Sequence, residues 1–194
     1  GSEMCKETAG KQLKDYLEYS AKYFKQVKKG AAVNPAPASE GGDTQADYQG
    51  KPVWDYNYDA VTGVTYSIDI SRPVGARILG LSWQGRPVAH DQRFVLAINN
   101  YRMSGGGDYP HVTEAPVVWD EILEIRQLLI DTAMAMKTID PKDFFDRNWF
   151  LTTTGENGQA AASQVTAAHL VGPNRDLALP IIRQPCPALA SDYV

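Results

Sequence analysis

Gly63-Val64-Thr65-Tyr66-Ser67-Ile68-Asp69-Ile70 alternates apolar and polar residues, with Val64, Tyr66, Ile68 and Ile70 falling on one face. Successive side chains of a strand point to opposite sides, so this alternation predicts a β-strand with an apolar face. Downstream, Arg72-Pro73-Val74-Gly75 turns the chain and residues 78–83 read as a second strand. Gln84-Gly85 makes a tight connection into Arg86-Pro87-Val88. Residues 94–99 form another strand, with Phe94, Leu96 and Ile98 sharing a face, and it runs directly into a glycine-rich loop.

Helical spacing brackets these strands. In residues 10–29, Leu13, Leu17, Ala21 and Phe24 lie on one face, joined by Tyr16 and Tyr23, and Thr8 is placed to cap the start. The lysines of this stretch fall mostly off the stripe, as on a solvated face. In residues 119–137, Ile122, Ile125, Leu129, Ala133 and Met136 repeat at helical intervals, and Met134 and Met136 read as core filler. Residues 30–52, rich in Pro, Gly and small side chains, are expected to be a long surface loop without regular elements. Residues 149–154 read as a last strand, and no sustained periodicity follows Gly155. The pattern predicts an α+β fold, a mixed β-sheet with packed helices, as one domain over residues 1–154 with an irregular C-terminal extension over 155–194.

Ten Tyr, five Phe and four Trp among 194 residues are too many aromatics for a disordered chain. A net charge of −4 argues against a binder of nucleic-acid polymers or anionic membranes, which would carry a basic face. It leaves room for a single nucleotide, held by a few placed groups. No apolar run is long enough to span a bilayer. Gly1-Ser2 reads as an expression scar, so the native N-terminus is expected upstream. Cys5 and Cys186 are read as two unrelated small residues, the alternative being a disulfide in an oxidising compartment.

Two loop segments carry the chemistry. One is Asp55-Tyr56-Asn57-Tyr58-Asp59, ahead of the Gly63 strand; the other is Asn99-Asn100-Tyr101-Arg102-Met103-Ser104-Gly105-Gly106-Gly107-Asp108-Tyr109-Pro110. Three consecutive glycines admit positive φ and let a ligand approach bare backbone. Tyr109 is expected to project from that loop and Tyr58 from the other, and loop tyrosines can grip a planar ligand between their rings. The same residues also suit a plain hairpin connection with tyrosines covering a core edge. A phosphate loop and a dinucleotide fingerprint are both absent. His90, His111 and His169 are far apart in sequence and in no metal-site pattern.

Asn57-Tyr58-Asp59 with Gly63-Val64-Thr65-Tyr66 and Asp69, Gly75-Ala76-Arg77-Ile78, Gly85-Arg86-Pro87-Val88, the Asn99–Pro110 segment and residues 10–18 together resemble the C-terminal domain of the 5′-nucleotidase family. With tyrosines at both clamp positions, the chain is more similar to its 2′,3′-cyclic-nucleotide 2′-phosphodiesterase and 3′-nucleotidase branch. The resemblance implies a substrate-recognition domain in which Tyr58 and Tyr109 clamp a nucleobase. It makes Asn100, Arg102, Gly106, Gly107 and Asp108 loop support or ligand-edge contacts, with Arg102 equally open to a structural ion-pair role. It implies catalysis by two divalent metal ions in an N-terminal metallophosphatase domain outside this chain, no cofactor and no catalytic residue within it, and an inactive chain on its own. The implied partners are a nucleotide or nucleoside and that N-terminal domain, in a protein that is extracellular, periplasmic or cell-wall associated. The competing expectation is a non-catalytic nucleoside- or glycan-binding module of a cell-surface protein.

Overall fold

The structure, a computed structural model, describes residues 3–120, 124–140 and 147–155. In chain order the elements are β1 (Glu3–Ala9), α1 (Gly10–Ser20), β2 (Asp47–Tyr48), β3 (Lys51–Pro52), β4 (Thr65–Asp69), β5 (Ile78–Trp83), β6 (Arg86–Pro87), β7 (Arg93–Asn99), α2 (Asn100–Met103), β8 (Val117–Trp119), α3 (Ile125–Met136) and β9 (Trp149–Thr152). The fold is α+β, with small sheets and few helices. Its described residues fall into two compact units: residues 3–12, 90–120 and 124–140 in the first, 13–89 and 147–155 in the second.

The first unit is built on an antiparallel sheet in the order β7-β1-β8. The central strand, β1, has no apolar alternation to announce it. Lys6 is buried, and its ammonium donates to Ala115 O at 2.8 Å, while Glu7 pairs with Arg93. Charges with fixed partners can enter a sheet that composition alone would refuse them. Cys5, opposite Ala97 and Trp119, is fully buried and disulfide-bonded, which corrects its reading as an unrelated small residue. Cys186 lies outside the described residues.

The second expected helix is shorter than its spacing. Trp119 ends β8, residues 121–123 lie outside the described residues, and α3 starts at Ile125. No residue of α3 is buried, and Met134 is 73% exposed, so it is not core filler. Leu128, Leu129 and Ile130 are consecutive and put apolar groups around much of the helix, so spacing could not select one buried stripe.

The second unit holds a mixed sheet in the order β6-β5-β4-β9, with β9 parallel to β4 and the other pairs antiparallel. Val64, Tyr66, Ile68 and Ile70 are buried as their alternation predicts. The polar alternates Ser67 and Asp69 are buried too, because β4 is an interior strand covered on both faces. Asp69 is satisfied there: its carboxylate accepts from Ser71 N at 3.0 Å, Ser71 Oγ at 2.6 Å and Arg72 Nε at 3.1 Å. The Tyr66 hydroxyl accepts from Val61 N, and burial pushes its pKa up to about 12.

The first helix stops at Ser20, well short of the expected residue 29, followed by a 3₁₀ turn over Ala21–Tyr23 and extended chain. Its stripe of Leu13, Tyr16, Leu17, Ala21 and Phe24 is nevertheless all buried. The reason for the early stop is tertiary. Lys25 N, which a continuing helix would direct to Ala21 O, donates instead to Asp43 O at 2.8 Å. The Arg77 guanidinium takes over the helix end, with Nη1 donating to Ala21 O at 2.8 Å and Phe24 O at 2.6 Å. Arg77 is 1% exposed, and burial lowers its pKa against the opposing pull of Glu18. The Glu18 carboxylate in turn accepts the backbone N–H groups of Arg77 and Ile78 at 2.8 and 2.9 Å. Thr8 is a β1 residue rather than the cap; Gln12 Oε1 reaches back to accept from Ala9 N at 2.8 Å.

Residues 30–52 are less irregular than expected. Gln49 and Gly50 both have positive φ, the condition for a tight two-residue hairpin turn, and they join β2 to β3. Gln84 and Gly85 do the same between β5 and β6.

Candidate functional site

The glycine-rich segment folds as one turn of helix and a compact loop in the first unit. Asn99 caps α2, its Oδ1 accepting from Arg102 N at 2.8 Å. Asn100 O accepts from Ser104 N at 3.0 Å and from Ser104 Oγ at 2.9 Å. The chain then curls back, with Gly105 N donating to Arg102 O, Gly106 N to Tyr101 O and Asp108 N to Gly105 O, all within 3.1 Å. Gly105, Gly107 and Asp108 take positive φ in this curl.

Arg102 is the strut of the loop. Only 4% exposed, it donates from Nη1 to Gly106 O at 3.0 Å and sets its guanidinium carbon 4.5 Å from the Tyr109 ring centroid and 5.3 Å from that of Tyr101. These contacts brace the loop from within. Tyr109 does not project as expected; it is 4% exposed beneath that guanidinium. The exposed aromatic of the loop is Tyr101, at 49%. Its ring lies flush with Gly106, where an added Cβ would fall 2.5 Å from ring carbons. Glycine is required at that position for close approach.

The sequence offers both Tyr101 and Tyr109 in this loop, and the structure puts the exposed ring at Tyr101. The available signal was the stretch after Asn99: a cap followed by a short helix places residues 101 and 102 on different sides, one inward and one outward. Asn100 and Asp108 are exposed, and their side chains make no hydrogen bond among the described residues. Thus Asn100, Tyr101, Arg102, Gly106, Gly107, Asp108 and Tyr109 belong to one element.

Tyr58 belongs to the second unit. Its ring stacks on Tyr23 at 4.8 Å and 24°, with Phe24 and Trp149 edge-on at 5.4 and 6.1 Å. The flanking chain is fixed to the end of α1. Tyr16 OH donates to the Asp59 carboxylate, Asp59 N to Ser20 Oγ at 2.8 Å, and Tyr23 OH to Asp55 Oδ1 at 2.9 Å. Burial, then the Asp55 hydrogen bond, raises the Tyr23 pKa. Tyr58 is a packed member of an aromatic cluster with one face already covered.

No group of three or more His, Cys, Asp or Glu among the described residues could hold a metal ion.

The glycine-rich loop of this α+β chain holds the Tyr101 ring outward on a buried arginine, and the sequence places the chain in a family. Residues 4–114 match the 5′-nucleotidase, C-terminal domain, family, and the chain belongs to it. The trifunctional nucleotide phosphoesterase protein YfkN of Bacillus subtilis is 34% identical over 152 residues, covering 72% of this chain and 10% of its own length. A 2′,3′-cyclic-nucleotide 2′-phosphodiesterase/3′-nucleotidase of Haemophilus influenzae is 31% identical over 165 residues, covering 76% and 23%. A structure described as that of a 5′-nucleotidase from Staphylococcus aureus, in complex with alpha-ketoglutarate, superposes with a TM-score of 0.61 at 30% identity, covering 78% of this chain and 27% of its own. The chain spans between a tenth and about a quarter of the lengths of these proteins.

Proposed function

We propose that this chain is the nucleobase-holding part of an exported bacterial nucleotide phosphohydrolase, of the 5′-nucleotidase or the 2′,3′-cyclic-nucleotide 2′-phosphodiesterase/3′-nucleotidase kind. Hydrolysis in that reading is carried out elsewhere in the longer protein, by two divalent metal ions. The observation that carries it is the family match over residues 4–114 together with nucleotide-cleaving relatives of far greater length.

Within the chain, the geometry favours Tyr101 as the ring on which a base stacks. It is half exposed, backed by Gly106 and held on Arg102. Asn100 and Asp108 are the edge contacts, offering an amide and a carboxylate to the base or ribose. Gly107 shapes the loop. Tyr109 supports the loop from beneath, and Tyr58, seated on Tyr23, is a separate candidate stacking ring. Stacking one base on one aromatic contributes about 1–3 kcal/mol, so the chain alone should bind a nucleoside at millimolar strength or weaker.

The test is an adenosine titration followed by NMR of the tyrosine rings, on the wild type and on Tyr101→Ala, Tyr58→Ala and Tyr109→Phe separately. Saturable shifts that Tyr101→Ala abolishes and Tyr109→Phe retains support the reading. Absence of any saturable shift in the wild type would remove base holding from this chain.

A further inference from the structure

The second unit carries a preformed groove that nucleotide binding leaves unused. It has a volume of about 430 Å³, with walls that include Pro37, Pro52, Val53 and Trp54. Small-ligand sites fall in this size range, roughly 300–1,000 Å³, and combine apolar walls with a few placed polar groups. Backbone and side-chain bonds hold it open: Val53 N donates to Ala46 O at 2.9 Å, Asn57 N to Trp54 O at 2.9 Å, and Ala38 N to Thr44 Oγ1 at 2.9 Å. Such preorganisation lowers the ordering cost of binding.

Trp54 lines the groove, and the Tyr56 ring stacks beside it. Trp54 is 54% exposed and Tyr56 70% exposed, and their planes are within 8° of parallel with centroids 6.1 Å apart. They bracket Asp55, whose Oδ1 is held by Tyr23 OH. Asp55 Oδ2, Gln45 Oε1 and Ser39 Oγ make no hydrogen bond among the described residues. All three can accept, and no Lys or Arg lines the groove.

That chemistry selects its occupant. A phosphate or carboxylate would meet acceptors and a negative charge, with no cation to offset them. A polyol supplies the hydroxyl donors these acceptors lack. The faces of aromatic rings are electron-rich, so they attract the C–H edges of a sugar ring, and an exposed indole is the broadest such face. We infer that this groove is a binding site for a neutral glycan, one hexopyranose stacking on Trp54 with its hydroxyls donating to Asp55 and Gln45. The site is independent of the nucleotide reading and uses none of its residues.

The experiment titrates the 194-residue chain separately with cellohexaose, maltohexaose and chitohexaose, read by calorimetry and tryptophan fluorescence. Trp54→Ala, Trp54→Phe, Tyr56→Ala and Asp55→Asn are compared, with circular dichroism and thermal melts as fold controls. Saturable binding of at least one glycan is expected, weakened about tenfold or more by Trp54→Ala and largely kept by Trp54→Phe. Should Trp54→Ala not fold, Tyr56→Ala, at the more exposed ring, decides in its place. The inference is overturned by no saturable signal from any of the three at about 10 mM, or by affinities unchanged in the Ala variants. It is equally overturned if AMP or a proline-rich peptide, rather than a glycan, gives the Trp54-dependent signal.

Discussion

Gly106→Ala separates presentation of the Tyr101 ring from stability of the loop. An alanine Cβ at 106 would lie 2.5 Å from ring carbons Cε2 and Cζ of Tyr101 and 2.6 Å from Cδ2, against the roughly 3.5–4.0 Å of a normal carbon–carbon contact. One of the two must move. The backbone at 106 is held by the Arg102 bond to its carbonyl and by its own N–H to Tyr101 O, whereas the ring is half exposed with solvent to swing into. The ring therefore yields. Because little buried surface is lost, the stability cost should stay near the low end of the overpacking range, about 1 kcal/mol. Displacing the stacking face removes about 1–3 kcal/mol of base binding, which is roughly 5- to 150-fold in affinity. The assay is adenosine titration by NMR beside a thermal melt. If Gly106→Ala melts within a few degrees of wild type and binds adenosine equally well, Tyr101 is not the stacking ring. If it unfolds the loop, the claim that the ring yields before the backbone is wrong.

Three further outcomes follow from the core. Glu18→Gln should destabilise the second unit by about 1–3 kcal/mol in urea unfolding, because it sets an amide donor against a buried backbone N–H and removes the largest coulombic support of the buried Arg77 guanidinium. Arg102→Lys should cost about 1–3 kcal/mol and loosen the glycine loop, since an ammonium cannot lie flat on Tyr109 while reaching Gly106 O; hydrogen exchange at Gly106 and Gly107 reads this. Tyr66 has a folded pKa raised from 10.0 to about 12, so its contribution is full below pH 10 and lost as pH rises toward 12. The stability of wild type relative to Tyr66→Phe should therefore fall by about 2–3 kcal/mol across that interval, measured by denaturant unfolding at fixed pH.

Much of the second unit was legible because its strands follow the rules that sequence displays. β4 alternates, β5 and β6 are joined by a turn-forming pair, and β9 is a short run of large side chains. What stayed hidden depended on partners distant in the chain. β1 carries Lys6 and Glu7 at positions that make sense only once Ala115 O and Arg93 are beside them. The end of α1 is set by Arg77 and Asp43, which no local spacing encodes. The glycine loop was recognisable as a special element, yet which of its tyrosines faces outward turned on a single helical turn. Tyr101 and Tyr109 are chemically the same residue; only the direction of the α2 turn makes one a surface and the other a support.

That distinction bears on how the family's motifs divide between architecture and recognition. Gly75-Ala76-Arg77-Ile78 and Asn99-Asn100-Tyr101-Arg102 are equally recognisable segments, and each contains a buried arginine. Arg77 spends its guanidinium on carbonyls at the end of a helix, and its backbone N–H and that of Ile78 on Glu18. The first segment is thus directed into its own unit. Arg102 likewise turns inward, but the residues around it do not. Asn100, Tyr101 and Asp108 keep an amide, a ring face and a carboxylate in solvent on a loop whose interior is braced by that arginine. A ring braced on one side loses less freedom when a base settles on it than an unbraced one, and this is the physical advantage of bracing from behind. In the proposed base-stacking role, the buried arginine and the exposed tyrosine act together, and mutating the arginine is expected to weaken base binding in proportion to the mobility it gives the ring.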